Sequence, residues 1–65
     1  KTFDHQKMKL RREELGLTQQ QVSQRMGLRH RQMINRWEAG LNSMSTHNLC
    51  RLAAALDVEP AYFLK

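Results

Sequence analysis

Apolar residues along the chain fall into short groups at helical spacing, each closed by a glycine or followed by a proline. Residues 5–15 are good helix formers; Asp4 stands at the N-cap position, Phe3 is placed to staple onto Met8, and Gly16 supplies the stop. Met8 and Leu15 share a face of this helix with Arg12 between them, while Leu10 points elsewhere. Thr18 and Gln21 have capping-box spacing and open a second helix, 19–26, with Val22, Ser23 and Met26 on one face and Gly27 at its end. Leu28 and Arg29 form a turn. His30 is placed to cap a third helix, 31–39, which stops at Gly40 and turns Ile34 and Trp37 inward. Ser45 caps a fourth, 46–56, with Leu49, Leu52, Ala53 and Leu56 at core spacing. After a short link at 57–59, Pro60 fits the first turn of a last helix, where its missing N–H leaves no bond unmade. No hairpin signal, repeat or low-complexity linker is present. The pattern predicts a single all-α domain over 1–65, built from five short helices.

Composition narrows the options. The chain has 65 residues and one cysteine, which excludes an internal disulfide. Domains of this size bury only about 60% of their unfolded surface, so a large enclosed enzyme pocket is not expected. No apolar run approaches the roughly 18 residues of a membrane span. No charged-then-apolar leader is visible, and the expected location is cytoplasmic. The chain opens at Lys1 without a methionine, so a processed or excised segment is expected.

The formal net charge is +5, and its distribution matters more than its size. Between Glu14 and Glu38 there is no acid, yet Arg25, Arg29, Arg31 and Arg36 lie there with His30 among them. A basic block inside a folded region is the footprint of a polyanion site, and arginine suits bidentate recognition of phosphate or guanine.

Arg12, Gly16, Leu17, Thr18 and Gln19, then Val22, Ser23, Met26 and Gly27, then Ile34 to Gly40, then Leu49, Leu52, Ala53, Ala55, Leu56 and Val58 form one spaced pattern. In it the chain resembles the Cro/C1-type helix-turn-helix family of bacterial and phage regulators over roughly four fifths of its length. The resemblance implies a compact lambda-repressor-like fold with the helix-turn-helix at about 18–39. Three departures stand out. The Gly27 to Gly40 interval is one residue longer than is usual, and the extra residue must lie in the turn, because Ile34, Trp37 and Glu38 keep their spacing. Met44 stands where the family often has proline. The loop Leu41 to Met44 carries none of the basic residues that often contact the DNA backbone there.

Such a motif needs one helix in the major groove and another holding the backbone. Counting backwards from Glu38, the family's base-reading positions fall on Arg31, Gln32 and Arg36, with Asn35 taking over from Arg36 if the extra residue shifts the helix. Arginine can grip guanine O6/N7, and glutamine or asparagine can grip adenine N6/N7. A polar outward face on any surface helix is the plain alternative. The resemblance assigns Gln19 a phosphate contact, with Thr18 beside it at the positive end of the second helix. Arg25, Arg29 and His30 either add phosphate contacts or are simply solvated. Arg12 and Glu38 match the family's buried ion pair, which would orient the third helix.

Other chemistry is poorly supported. His47 and Cys50 have i, i+3 spacing, but no further ligand accompanies them, and Cys50 falls in a core position of the family, where a small thiol packs well. No metal, cofactor or small-molecule substrate is expected. Glu13 and Glu14 read as a solvated helix face rather than an acid–base pair, and no nucleophile has a base. The expected partner is double-stranded DNA, as a near-palindromic operator bound by a homodimer through the last helix or through segments outside this chain; of Tyr62, Phe63 and Leu64 some must close the core, and any remainder is available for pairing. The alternative is a protein-interaction module on the same fold, an antitoxin or adaptor, with DNA binding secondary or absent. POU-specific domains share the fold and a stretch like Asn48–Cys50, but their turn is longer.

Overall fold

Four α-helices and a closing 3-10 turn make up the structure, a computed structural model that describes residues 2–65. They are α1 (His5–Glu14), α2 (Gln19–Arg25), α3 (Gln32–Glu38) and α4 (Thr46–Ala55), followed by the turn Pro60–Phe63. The fifth expected helix is thus a single 3-10 turn.

Three helices start where the capping residues predict. The side chains of Asp4, Thr18 and Ser45 accept from the backbone N–H groups of Lys7, Gln21 and Asn48, and Gln21 completes the capping box by accepting from the N–H of Thr18. Each such cap contributes about 1 kcal/mol. His30 does not cap α3. Arg31 occupies the N-cap position with αR backbone angles and makes no side-chain capping bond, and the first helical bond runs from the Asn35 N–H to the Arg31 carbonyl. The longer turn therefore delays the start of α3 to Gln32 and leaves its first N–H groups without a side-chain partner.

The helices end alike. In each, the N–H two residues past the C-cap reaches back five residues: Leu17 to Arg12, Leu28 to Ser23, Leu41 to Arg36 and Val58 to Ala53. These Schellman closures satisfy carbonyls that would otherwise be orphaned and set the sharp reversals between helices. At the end of α4 the left-handed position is taken by Asp57, with φ 62°.

One core unites the elements: Met8, Val22, Met26, Ile34, Trp37, Leu49, Leu52, Ala53, Ala55, Leu56 and Phe63. α3 packs on α1 and α2, and the 3-10 turn packs on α4 and α1. Leu15 departs from the expected face: it is the C-cap of α1 and 36% exposed, because the helix ends before its side chain can turn inward. Phe3 lies against Phe63, ring centroids 6.0 Å apart, and pairs with Leu64 in an isolated antiparallel bridge. Two backbone bonds between Thr2 and Lys65, and one from Asp4 to Phe63, extend this stitch between the chain ends.

Two expectations are corrected here. Cys50 is exposed rather than buried, since Leu49 takes the inward position and its neighbour is rotated about 100° away. The C-terminal apolar residues are not a free pairing surface. Phe63 is fully buried, Tyr62 and Leu64 are partly buried against the core, and Tyr62 also carries the Lys7 ammonium 4.2 Å from its ring centre. No described helix is long and apolar enough to cross a membrane.

Candidate nucleic-acid interface

The inward and outward faces of α3 differ sharply. Ile34, Trp37 and Glu38 are buried, whereas Arg31, Gln32, Met33, Asn35 and Arg36 are exposed. Helical geometry brings Arg31, Gln32, Asn35 and Arg36 together around one open surface depression. A second depression beside it is lined by Gln20, His30, Arg31 and Gln32, and so joins the start of α2 to the start of α3. Gln20 was not singled out by sequence reasoning, because a glutamine inside a helical run carries no distinguishing signal.

A polar knot under α3 fixes its angle. Arg12 Nε donates to Glu38 Oε2 at 2.6 Å and Arg12 Nη2 to Glu38 Oε1 at 3.1 Å, giving the two-pronged geometry that guanidinium and carboxylate favour. Arg12 Nη1 donates to the Leu17 carbonyl at 2.8 Å, which ties the pair to the turn before α2. The Gln19 side-chain amide donates to Glu38 Oε1 at 3.1 Å, so α1, α2 and α3 meet at one carboxylate. The hydrogen bond to Glu38 raises the Arg12 pKa against the opposing effect of burial. At the far end of the same helix turn, His5 Nδ1 donates to the Glu38 carbonyl at 3.1 Å.

Gln19 therefore has one amide hydrogen engaged and one still available. It lines a depression with Lys9, Arg12, Asn35, Glu38 and Ala39. Thr18 and Arg29 are exposed, as is His30. Arg25 lies elsewhere. Its Nη1 donates to the Ala55 carbonyl at 3.0 Å, and it lines a depression with Met26, Arg51, Ala54 and Ala55. Arg11 donates to the neighbouring Leu56 carbonyl at 3.0 Å, and Arg51 donates in turn to the Met26 carbonyl. These three arginines hold the C-terminal ends of α4 and α2, where the helix dipole favours a cation. Part of the basic charge counted along the sequence thus braces the fold.

The loop after α3 also reaches the exposed face. Arg36 Nε donates to Asn42 Oδ1 at 3.0 Å, and Asn42 Nδ2 donates to Met33 Sδ at 3.4 Å. Asn42 carries no signal in the sequence, being an uncharged loop residue whose partners lie on α3. Among the described residues no group of three or more His, Cys, Asp or Glu side chains forms a metal-binding cluster, and His47 and Cys50 acquire no further ligand.

Solved structures share this fold. The restriction-modification controller protein C.AhdI from Aeromonas hydrophila superposes with a TM-score of 0.87 at 32% identity, over 92% of this chain and 89% of that one. The P22 c2 repressor protein, solved in complex with synthetic operator 9T, superposes with a TM-score of 0.87 at 26% identity over 100% of this chain and 97% of its own. The hypothetical transcription factor NHTF from Neisseria superposes with a TM-score of 0.86 at 26% identity, over 94% of this chain and 69% of its own. A search of curated protein sequences finds no match. The helix-turn-helix family model matches residues 8–63, from the buried Met8 of α1 to the buried Phe63 of the closing turn. The chain belongs to the helix-turn-helix family, in its Cro/C1-type branch.

Proposed function

We propose that this chain is the DNA-binding domain of a sequence-specific transcriptional regulator, with α3 seated in the major groove of B-DNA. The observation that carries the proposal is the exposed cluster Arg31, Gln32, Asn35 and Arg36 around one depression, on the helix whose buried Glu38 is bonded by Arg12 and Gln19. Arginine and the amide side chains are the groups that bond base edges bidentately, and a helix braced from below can hold them in register. The P22 c2 repressor, with which the chain superposes end to end, was solved with an operator, and that supports the same use here.

In this reading Arg31, Gln32 and Arg36 contact bases, with Asn35 beside them. Thr18, Gln19, Arg29 and His30 contact phosphates, Gln19 through its free amide hydrogen. Arg25 is left out of the phosphate set, because its guanidinium is bonded at the end of α4. Two copies bind a near-palindromic operator in the cytoplasm, and no cofactor takes part.

The test is titration of wild type, Gln32→Ala, Arg36→Ala and Gln19→Ala against an operator selected from random DNA and against a scrambled duplex at fixed salt. Loss of a base contact costs about 1–3 kcal/mol on the operator alone, whereas loss of a phosphate contact weakens both duplexes together. Equal losses on both duplexes for Gln32→Ala and Arg36→Ala would show a face that grips without reading. Failure of the wild type to bind either duplex would favour the protein-interaction alternative.

A further inference from the structure

We infer that Asn42 is a specificity-determining residue: it fixes the Arg36 guanidinium in the one orientation that presents its two terminal amino groups to a base. The inference rests on the proposed reading of Arg36 as a base contact. It adds a residue outside the recognition helix, in a loop that carries no charge of its own.

An exposed arginine samples many rotamers, and immobilising such a side chain on binding costs about 0.5–1.5 kcal/mol. Here that freedom is already restricted. Gly40 takes the left-handed position, with φ 74°, and the Leu41 N–H closes back on the Arg36 carbonyl at 2.9 Å. This reversal returns the chain over the last turn of α3 and sets Asn42 beside the side chain of Arg36. Asn42 is half-buried, and its amide is held at both ends: Oδ1 accepts from Arg36 Nε and Nδ2 donates to Met33 Sδ. Rotating the amide by 180° would set its N–H₂ against the Arg36 N–H, donor against donor, so only one orientation serves both partners. With Nε engaged, what Arg36 offers outward is its Nη1/Nη2 edge, a two-donor fork matched to guanine O6 and N7. Asn42 is a positioning residue, acting on the base pair through Arg36.

Two measurements test this, one without DNA. In the free protein, ¹⁵N relaxation at the Arg36 Nε is expected to show a more ordered group than the Nε of Arg29 or Arg31, which have no hydrogen-bond partner among the described residues. Equal mobility of all three in the wild type would overturn the inference whatever any variant does. Asn42→Ala is expected to lower the Arg36 order parameter to the level of the other two. On DNA, wild type, Asn42→Ala, Arg36→Ala and the double variant are titrated against the selected operator and its single-base-pair substitutions. Asn42→Ala is expected to weaken operator binding by about 2- to 10-fold, the scale of one immobilised side chain. It should also flatten the base preference at the position that Arg36→Ala flattens, and should add nothing in the Arg36→Ala background. If Arg36→Ala is selective for one base pair while Asn42→Ala leaves that preference intact, or acts equally with Arg36 removed, this inference falls and the functional reading stands. If Arg36→Ala shows no base-pair selectivity at all, both fall together.

Discussion

Glu38 is the residue on which three helices depend. Its carboxylate is 5% exposed and holds two bonds from Arg12 and one from Gln19. A buried pair of this kind adds little over well-packed apolar residues, but removing one partner strands the other, at about 3–5 kcal/mol. A domain of this size has only a few kcal/mol to lose. Arg12→Ala or Glu38→Ala is therefore expected to leave the domain largely unfolded at ambient temperature, whereas Arg12→Met combined with Glu38→Leu regains much of the loss. Urea unfolding followed by the fluorescence of Trp37 measures both; a mild effect of either single substitution would contradict the assignment. Asp57 presents the opposite case. It holds φ 62° at the end of α4, a conformation that glycine adopts freely, and its side chain is exposed. Asp57→Gly is expected to stabilise the domain by up to about 1 kcal/mol, a rise of a few degrees in Tm.

Among the α-helices, α3 is the one with no side-chain cap at its start, and so it relies on its neighbours. Its end is secured by Gly40 and by His5, whose ring bonds the Glu38 carbonyl. A Cβ at Gly40 would lie 3.1 Å from His5 Nε2, whereas a Cβ at Gly16 would meet nothing within 4 Å. Both positions have left-handed φ, so both alanine variants bear a backbone strain of about 1–2 kcal/mol. Gly40→Ala must in addition displace His5. It is expected to be the less stable of the two and to weaken operator binding beyond its effect on folding, while Gly16→Ala affects stability alone. Denaturant midpoints and operator titrations on the same samples decide the order. The arginine brace gives a further check. Arg25→Ala is expected to lower stability by about 1 kcal/mol through the lost bond to the end of α4. It should leave the salt dependence of DNA binding unchanged, whereas a slope reduced by about one unit would return Arg25 to the phosphate contacts.

For the whole molecule, size and charge set the terms of assembly on DNA. The domain measures 28 × 21 × 19 Å along its principal axes, less than the roughly 34 Å between successive turns of one groove. Two copies can therefore occupy adjacent half-sites on one face of the duplex without overlap. Little free apolar surface is left to join them, since the C-terminal aromatic residues close the core and the most exposed large apolar side chains are Leu10 and Leu41. Two copies are expected to bind an operator whose half-sites are about 10 base pairs apart. Inserting about five base pairs should turn them onto opposite faces and abolish any cooperativity. Sedimentation of the complex at both spacings tests this; unchanged cooperativity would exclude contact between neighbouring copies.

Local chemistry was legible along the chain. Asp4, Thr18 and Ser45 mark helix starts, three glycines mark stops, and apolar spacing locates Val22, Ile34, Trp37, Leu49, Leu52 and Leu56 in the core, because caps and periodicity are short-range signals. The outward side of α3 and the pairing of Arg12 with Glu38 were also readable, the first from helical geometry and the second from the spacing of a family pattern. What escaped depended on groups brought together across the chain. Arg25 read as part of a basic field until Ala55, 30 residues away, offered it a carbonyl. Cys50 read as buried until the rotation of α4 turned it outward, and His30 read as a cap until the longer turn put Arg31 in its place. Asn42 carried no signal at all, since its importance lies in the six-residue return to Arg36. A periodic pattern states which side of a helix is apolar. Which backbone carbonyl, ring or guanidinium meets a given polar side chain is decided only when the helices have packed, because those partners are distant in sequence and hydrogen bonds act only at contact.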